Sequence, residues 1–270
     1  LLRCLALVLV ILVLARPQTT NKWQNSEIEG IDIMLAIDVS TSMLAEDLKP
    51  NRLEAAKDVA AEFINGRPND NIGITLFAGE TFTQCPLTVD HAVLLDMIHN
   101  IKCGLITDGT AVGMGIANAV TRLKDSKAKS KVIILLTDGT NNKGDISPMT
   151  AAEIAKSFGI RVYTIGVGTN GMAPYPYPVG NTVQYVSMPV EIDEKTLTEI
   201  AGTTDGNYFR ATSNSKLKEV YEEIDKLEKT KLNVKEYSKR DEEYHWFALA
   251  AFLCVLLEVL LRNSVLKKIP

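Results

Sequence analysis

The segment Ile31–Ser42 (IDIMLAIDVSTS) joins an apolar run to a cluster of oxygen-bearing side chains. Ile31–Asp38 has the length of a β-strand and ends in a carboxylate. A second apolar run, Lys131–Thr137 (KVIILLT), is continuous, which is typical of a strand buried on both faces of a sheet, and Asp138 follows it. We therefore expect two buried strands whose ends bring two carboxylates to the same edge of one sheet.

Predicted strands and helices alternate on both sides of these runs. Further strands are predicted at Ile72–Phe77, Gly79–Leu87 (antiparallel or at an edge), Arg161–Val167 and Asn207–Arg210. Helices are predicted from the Asn51 cap to Ile64, and at His91–Asn100, Val112–Lys124, Met149–Phe158, Asp193–Ala201 and about Ser215–Lys229. This order predicts an α/β fold, doubly wound, with a mostly parallel sheet flanked by helices. Ligands of such sheets bind at the carboxyl ends of the strands.

The segment Gly168–Val190 interrupts this pattern. Its prolines exclude a helix and favour a small surface hairpin or flap, and they lie at positions 174, 176 and 178. Gly166, Gly168 and Gly171 spell G-x-G-x-x-G after a strand. A dinucleotide site would need a helix directly after that motif, so we do not assign one here.

The composition limits the class of protein. A chain of 270 residues corresponds to one large domain or two small ones at about 150 residues each. A hydrophobic content of 46% with 23% charged residues excludes wholesale disorder. The net charge of −4 provides no basic excess for phosphate contacts, so nucleic acid is not an expected partner. Four cysteines are too few for a disulfide scaffold.

Both ends of the chain suggest a membrane. Cys4–Ala15 is apolar throughout but shorter than the ~20 residues of a span, which predicts part of a membrane helix or the apolar region of a signal peptide. Trp246–Leu261 is a second apolar stretch. Basic residues follow it at 262, 267 and 268, so we expect this end on the cytoplasmic side and the middle of the chain on the periplasmic side of the inner membrane. The predicted organisation is an N-terminal membrane segment (1–17), a linker (18–30), one domain (31–230), a juxtamembrane linker (231–244) and a C-terminal transmembrane helix (245–263).

Oxygen ligands follow the predicted strands. Asp38, Ser40 and Ser42 alternate after the first strand, Asp138 follows the buried strand, and Thr110 precedes a predicted helix. Hard divalent cations such as Mg²⁺ prefer oxygen ligands, and two carboxylates balance a 2+ charge. The pattern predicts a metal site with one position open to water or to an incoming carboxylate. Asp108 lies near this set, either as a group that orients the ligands or as an acid at a helix N-terminus.

Asp38-Val39-Ser40-Thr41-Ser42 resembles the D-x-S-x-S signature of von Willebrand factor type A domains. The resemblance covers Ile31–Lys229 and implies a doubly wound fold with a metal-ion-dependent adhesion site at the top of the sheet. By that resemblance the ligands of a Mg²⁺ or Mn²⁺ ion are Asp38, Ser40, Ser42, Thr110 and Asp138. All five positions are filled, so we expect a competent site.

Two further segments, Phe77–Leu87 and Ile101–Leu105, resemble BatA-like membrane proteins of the Bacteroides aerotolerance type. The layout of membrane segment, type A domain and membrane helix is also similar. The resemblance implies a cell-envelope scaffold or stress function beside a MoxR-type AAA+ ATPase and further type A or tetratricopeptide-repeat proteins. It implies no catalysed reaction.

The leading hypothesis is a membrane-anchored domain that binds an acidic residue of a partner protein through its metal ion. The alternatives are a metal-dependent phosphatase or hydrolase using the same carboxylates, and a structural membrane scaffold. Cys85 and Cys103 could form a disulfide on the outer side of the membrane, which is a hypothesis because the sequence cannot supply the distance between them.

Overall fold

A computed structural model describes residues 8, 11–15, 18–19, 30–138, 141–169, 171–179, 182–190, 192–233, 241–242 and 244–264. The chain divides into two compact units. One is Ile28–Val234, and the other combines Leu1–Glu27 with Lys235–Pro270.

The strands in chain order are β1 (Gln18–Thr19), β2 (Asp32–Asp38), β3 (Asn71–Phe77), β4 (Thr81–Thr88), β5 (Lys131–Thr137), β6 (Ile160–Val167), β7 (Gly171–Val179), β8 (Thr182–Val190), β9 (Tyr208–Ala211) and β10 (Asp241–Glu242). The helices are α1 (Arg52–Asn65), α2 (His91–His99), α3 (Val112–Leu123), α4 (Pro148–Ser157), α5 (Glu194–Thr203), α6 (Asn214–Asn233) and α7 (Tyr244–Ser264). A 3₁₀ turn, Thr41–Leu44, follows β2.

A six-stranded sheet forms the centre of the larger unit, in the order β4-β3-β2-β5-β6-β9. Only the β3–β4 pairing in it is antiparallel, and the other pairings are parallel. Every residue of β2 is buried, as expected for a strand covered on both faces. The predicted mostly parallel α/β fold is confirmed, and Gly79–Leu87 does hold an antiparallel edge strand.

Alternate residues of β2 point to opposite sides of the sheet and enter two separate cores. Ile33, Leu35 and Ile37 pack with apolar residues of α1, α2 and α6. Met34 and Ala36 pack with residues of α3, α4 and α5 on the other face. Helices therefore cover both faces, which is the doubly wound arrangement.

The two edges of the sheet are short or irregular. At one edge, β4 pairs with β3 with shifts of register next to Ile74, and it carries Pro86. At the other edge, β9 has four residues. Proline provides no N–H for a further strand, and bulges bend the strand that carries them.

An antiparallel hairpin of β7 and β8 occupies the segment for which a hairpin or flap was predicted. The Glu46 N–H donates to the Pro174 carbonyl at 2.9 Å, so this hairpin is attached to the loop that follows β2. The predicted cap at Asn51 is present on α1, and Asp193 caps α5 in the same way. The Asn51 side chain accepts from Glu54 N–H, and that of Asp193 accepts from Thr196 N–H.

In the smaller unit, β1 pairs with β10 in an antiparallel ladder, and α7 contains the whole of the second apolar stretch. Among the residues placed well enough to be searched, no helix has both the length and the apolar content of a bilayer span. Most of the predicted N-terminal membrane segment and of the juxtamembrane linker lies outside the described residues.

Candidate metal centre

Two buried carboxylates lie at the carboxyl edge of the sheet. Asp38 is the last residue of β2 and Asp138 follows β5, and these strands are neighbours with Ile37 opposite Leu136. Asp38 is fully buried and Asp138 is 2% exposed. Burial, together with the nearby charge of Asp138, raises the pKa of Asp38 to about 7. Burial also raises the pKa of Asp138, despite the nearby Arg52. Burial is the largest cause of both shifts, because it disfavours the charged form of each carboxyl group.

Hydroxyl groups join these carboxylates into one cluster. Because the chain turns into the 3₁₀ segment after β2, Ser42 reaches across to donate to Asp138 Oδ1 at 2.7 Å. The Ser40 and Ser42 Oγ atoms are 3.0 Å apart, and the Ser40 N–H donates to Asp38 Oδ1 at 2.9 Å. Thr137 Oγ1 donates to Asp38 Oδ2 at 2.6 Å.

Thr110 lies in an adjacent loop that is held on both sides. Its N–H donates to Asn142 Oδ1 at 2.9 Å, and its carbonyl accepts from the N–H groups of Asn142 and Lys143. The next residue, Ala111, donates to the Ala78 carbonyl at 2.7 Å. Thr110 is 4% exposed, and in the described part of the chain no hydrogen bond joins its hydroxyl to the other four predicted ligands. Gly139, the next residue after Asp138, is not among the described residues.

Asp108 holds the loop that carries the two serines. Its Oδ1 accepts from the Thr41 N–H at 3.0 Å and its Oδ2 accepts from Thr41 Oγ1 at 2.9 Å. The pKa of Asp108 is lowered, mainly by the hydrogen bond from the Thr41 backbone. Helix α3 begins at Val112, so Asp108 lies before its first turn. Asp108 therefore anchors the loop between Ser40 and Ser42, and its role toward a metal ion stays a prediction.

The sequence did not reveal Arg52 and Asp47. Arg52, 1% exposed at the start of α1, donates through Nη1 to Asp138 Oδ2 at 2.5 Å. Its Nε and Nη2 donate to the two carboxylate oxygens of Asp47 at 2.7 and 2.6 Å. Burial raises the pKa of Asp47, but hydrogen bonds from Arg52 and Thr169 outweigh burial, so the pKa is lowered. A single arginine after a helix cap belongs to no motif, so the sequence does not predict its contacts with Asp47 and Asp138.

The chemistry of this cluster fits a hard divalent cation. Asp38, Asp47 and Asp138 carry three negative charges when all are ionised, and the Arg52 guanidinium, which contacts the last two, carries one positive charge, so two negative charges remain. Within the described residues, no group of three or more His, Cys, Asp or Glu could hold a metal ion. The donors here are instead two carboxylates and three hydroxyls, which are neutral oxygens that complete a coordination shell without adding charge.

The predicted pairing of Cys85 with Cys103 is corrected by the structure, where both are free thiols. Cys85 is buried in the core from β4, whereas Cys103 Sγ approaches the Ser40 carbonyl at 3.5 Å. Burial, followed by the nearby carboxylates, raises the pKa of Cys103 to about 12. Cys103 also packs at the margin of the same core, but no disulfide joins the two side chains.

A family model for the von Willebrand factor type A domain matches residues 32–223 of the chain. The chain belongs to this family. The matched residues run from the start of β2 into α6 and include the five side chains that the D-x-S-x-S resemblance assigns to the metal.

Two solved structures of this fold come from Bacteroides, and the match to this chain spans the full length of each. The crystal structure of a conserved hypothetical protein BatB from Bacteroides thetaiotaomicron is 35% identical over 74% of this chain, with a TM-score of 0.66. An aerotolerance-related membrane protein from Bacteroides fragilis, carrying multiple mutations to serines, is 34% identical over 73% of this chain, with a TM-score of 0.64. These matches confirm the resemblance to aerotolerance-type proteins.

A third solved structure contains a metal. Proximal thread matrix protein 1 from the mussel byssus, solved with a zinc-occupied MIDAS motif, is 25% identical to this chain. The match covers 73% of this chain and 45% of the mussel protein, with a TM-score of 0.58. A type A domain related to this chain therefore holds a divalent cation at that motif.

Proposed function

We propose that this type A domain binds a divalent cation through Asp38, Ser40, Ser42, Thr110 and Asp138, and that the cation receives an acidic side chain of a partner protein. The observation that carries the proposal is the pair of buried carboxylates at the ends of neighbouring strands, linked by hydroxyl groups. Arg52 is shared between Asp138 and Asp47, so it leaves negative charge on the pair, and a divalent cation would offset the cost of burying that charge.

The cation we propose is Mg²⁺ or Mn²⁺. An oxygen-only donor set of carboxylates and hydroxyls suits these ions better than softer metals, which favour thiolate or imidazole. The zinc-occupied motif of the mussel protein supports binding of a divalent cation at this place in the fold, and it leaves the choice of metal to experiment.

We place the protein in a cell-envelope complex at the inner membrane, with the domain at 31–230 on the periplasmic side. Support comes from the Bacteroides relative described as an aerotolerance-related membrane protein. Helix α7 adds support because large apolar side chains are exposed along it, among them Trp246, Phe252 and Leu260. The proposed partners are other envelope type A or tetratricopeptide-repeat proteins and a MoxR-type ATPase.

A binding role fits the cluster better than hydrolysis. A metal-dependent hydrolase needs a general acid or base free to exchange a proton near the metal. Both oxygens of Asp108 already accept hydrogen bonds from Thr41, and the Arg52 guanidinium is paired with two carboxylates, so neither group is free for that role. A structural scaffold with an incidental ion is the other alternative.

The test compares thermal unfolding of the full chain in Mg²⁺, in Mn²⁺ and in EDTA with that of Asp38→Asn. A ligand specific to the folded state adds about 2.7 kcal/mol at a hundredfold excess over Kd. We expect that gain in the wild type and in the control Asp125→Asn, an exposed residue after α3, but not in Asp38→Asn. Absence of a response in the wild type would contradict the proposal.

The same variants test partner binding and separate it from hydrolysis. Pull-downs from membranes should recover a complex in Mg²⁺ and lose it in EDTA and with Asp38→Asn. A complex that survives chelation would favour the scaffold. Metal-dependent turnover of a phosphoester that is lost in Asp38→Asn would favour the hydrolase.

A further inference from the structure

We propose that Arg52, clamped by Asp47, is a positioning residue that fixes Asp138 in the orientation the metal requires. This inference rests on the proposed metal site and adds a determinant of its affinity. Arg52 is almost completely buried although it is always charged, so its charge must be matched by partners inside the fold.

The guanidinium contacts two carboxylates with three different nitrogens. Two of them, Nε and Nη2, form a bidentate pair with Asp47 at 2.7 and 2.6 Å. The third, Nη1, donates to Asp138 Oδ2 at 2.5 Å, while Ser42 donates to Oδ1 of the same carboxylate at 2.7 Å. Because a donor occupies each oxygen, the Asp138 carboxylate is fixed about its side-chain torsion. A lysine ammonium has no planar fork and cannot reproduce this pattern.

The neighbouring segment at Gly168 and Thr169 leaves space for the Arg52 side chain and holds its partner Asp47. A Cβ on Gly168 would lie 2.5 Å from Arg52 Nη2, and Gly168 has a positive φ of 129°. The next residue, Thr169, donates to Asp47 Oδ2 from its N–H at 2.7 Å and from its hydroxyl at 3.1 Å. Gly168, part of the G-x-G-x-x-G pattern that leads into strand β7 rather than a helix, thus makes room for the guanidinium.

Positioning and charge predict opposite effects of removing Arg52. A fixed positive charge beside a cation site repels the ion, so charge alone predicts tighter metal binding in Arg52→Gln and no change in Arg52→Lys. Positioning predicts weaker binding in both variants, because each loses the fork that holds Asp138. Groups that orient metal ligands typically change metal affinity by about 10–100-fold.

The experiment measures Mn²⁺ binding to the full chain by calorimetry, with Mg²⁺ as competitor, at a temperature where each variant is folded in EDTA. We expect Kd at least about tenfold weaker in Arg52→Lys and Arg52→Gln. Thr169→Val leaves every charge in place and should give a smaller loss in the same direction. The matched control is Arg122→Lys, an exposed arginine that donates to Thr83.

The outcomes separate the two proposals. A wild-type Kd retained by Arg52→Lys, or a tighter Kd in Arg52→Gln, would overturn the positioning role and leave the metal site intact. No Mn²⁺ binding by the wild type would overturn the metal site and this inference together. If both Arg52 variants fail to fold, Thr169→Val decides, and an unchanged Kd in that variant overturns the role. A purely structural role would lower the unfolding midpoint in EDTA without changing Kd.

Discussion

Thr137 Oγ1 donates to Asp38 Oδ2 at 2.6 Å, from the strand that precedes Asp138 to the carboxylate at the end of β2. Ser42 makes the reverse connection, from the loop after Asp38 to Asp138. Each carboxylate is therefore oriented by a hydroxyl from the segment that carries the other one. This reciprocity couples the two halves of the site before a ligand arrives.

Thr137→Val should destabilise the protein and weaken metal binding. Valine has the same shape but cannot donate, so the buried Asp38 loses a charge-assisted hydrogen bond worth about 1.5–3 kcal/mol. Denaturant unfolding in EDTA measures the first effect and Mn²⁺ calorimetry the second. Thr121→Val, on the exposed face of α3, should change neither. Equal stability of Thr137→Val and wild type would show that this bond contributes nothing net.

Asp38→Asn should be at least as stable as the wild type in EDTA, although it loses the response to metal. The substitution removes one of two buried negative charges and retains a polar side chain of similar size. Thermal unfolding in EDTA measures the effect. A large fall of the unfolding midpoint in EDTA would mean that the Asp38 carboxylate stabilises the fold without a metal ion. That result would contradict this prediction.

Asp108→Ala should weaken metal binding while changing the free energy of unfolding by less than about 1 kcal/mol. Its contacts with Thr41 are exposed, and exposed polar contacts contribute little to stability. They nevertheless hold the residue between Ser40 and Ser42, so their loss should reduce metal affinity by up to about tenfold. The comparison is with Asp125→Ala by the same calorimetry. An unchanged Kd would show that Asp108 does not orient the metal ligands.

The stability of the larger unit should depend on Glu228 at acid pH. Burial raises the pKa of Glu228, but hydrogen bonds from Arg161, Tyr163 and Ser130 outweigh it and lower the pKa from its ordinary 4.5. Because the folded-state pKa is the lower one, this stabilisation is complete above about pH 4.5 and is lost as the pH falls through the folded-state value.

Glu228→Gln should remove that part of the acid dependence and cost about 2 kcal/mol at neutral pH, because the charge-assisted hydrogen bonds from the partly exposed Arg161 lose their anionic acceptor. Urea unfolding between pH 3 and pH 7 measures both effects. Glu223→Gln, exposed on the same helix, provides the control. Parallel pH profiles for Glu228→Gln and the wild type would contradict the prediction.

The sequence predicts those parts of the fold that depend on residues close together in the chain. The apolar runs of β2 and β5 and the helix caps at Asn51 and Asp193 depend on neighbours in the chain, and the structure agrees with them. The D-x-S-x-S stretch is local too, and the strand order then brings Asp138 beside it.

Contacts between distant segments could not be predicted in the same way. Arg52 lies 86 residues from Asp138 in the chain, and Asp47 is in an irregular loop with no periodicity. The cysteine pairing failed for a related reason. A disulfide needs two Cβ atoms about 3.8 Å apart, and sequence spacing carries no information on that distance. Side-chain direction, rather than element order, is the missing information in both cases.

The way the central sheet ends restricts how this protein can assemble with others. Pro86 and the register shifts interrupt the outer rim of β4, and β9 offers only four residues on the far side. Neither rim offers a long, regular row of free backbone donors and acceptors, so strand addition and fibre-like growth are disfavoured. Contacts made by this sheet would then use side chains of the loops and helices around it, which agrees with the selective and reversible contact that we propose at the loops around Asp38 and Asp138.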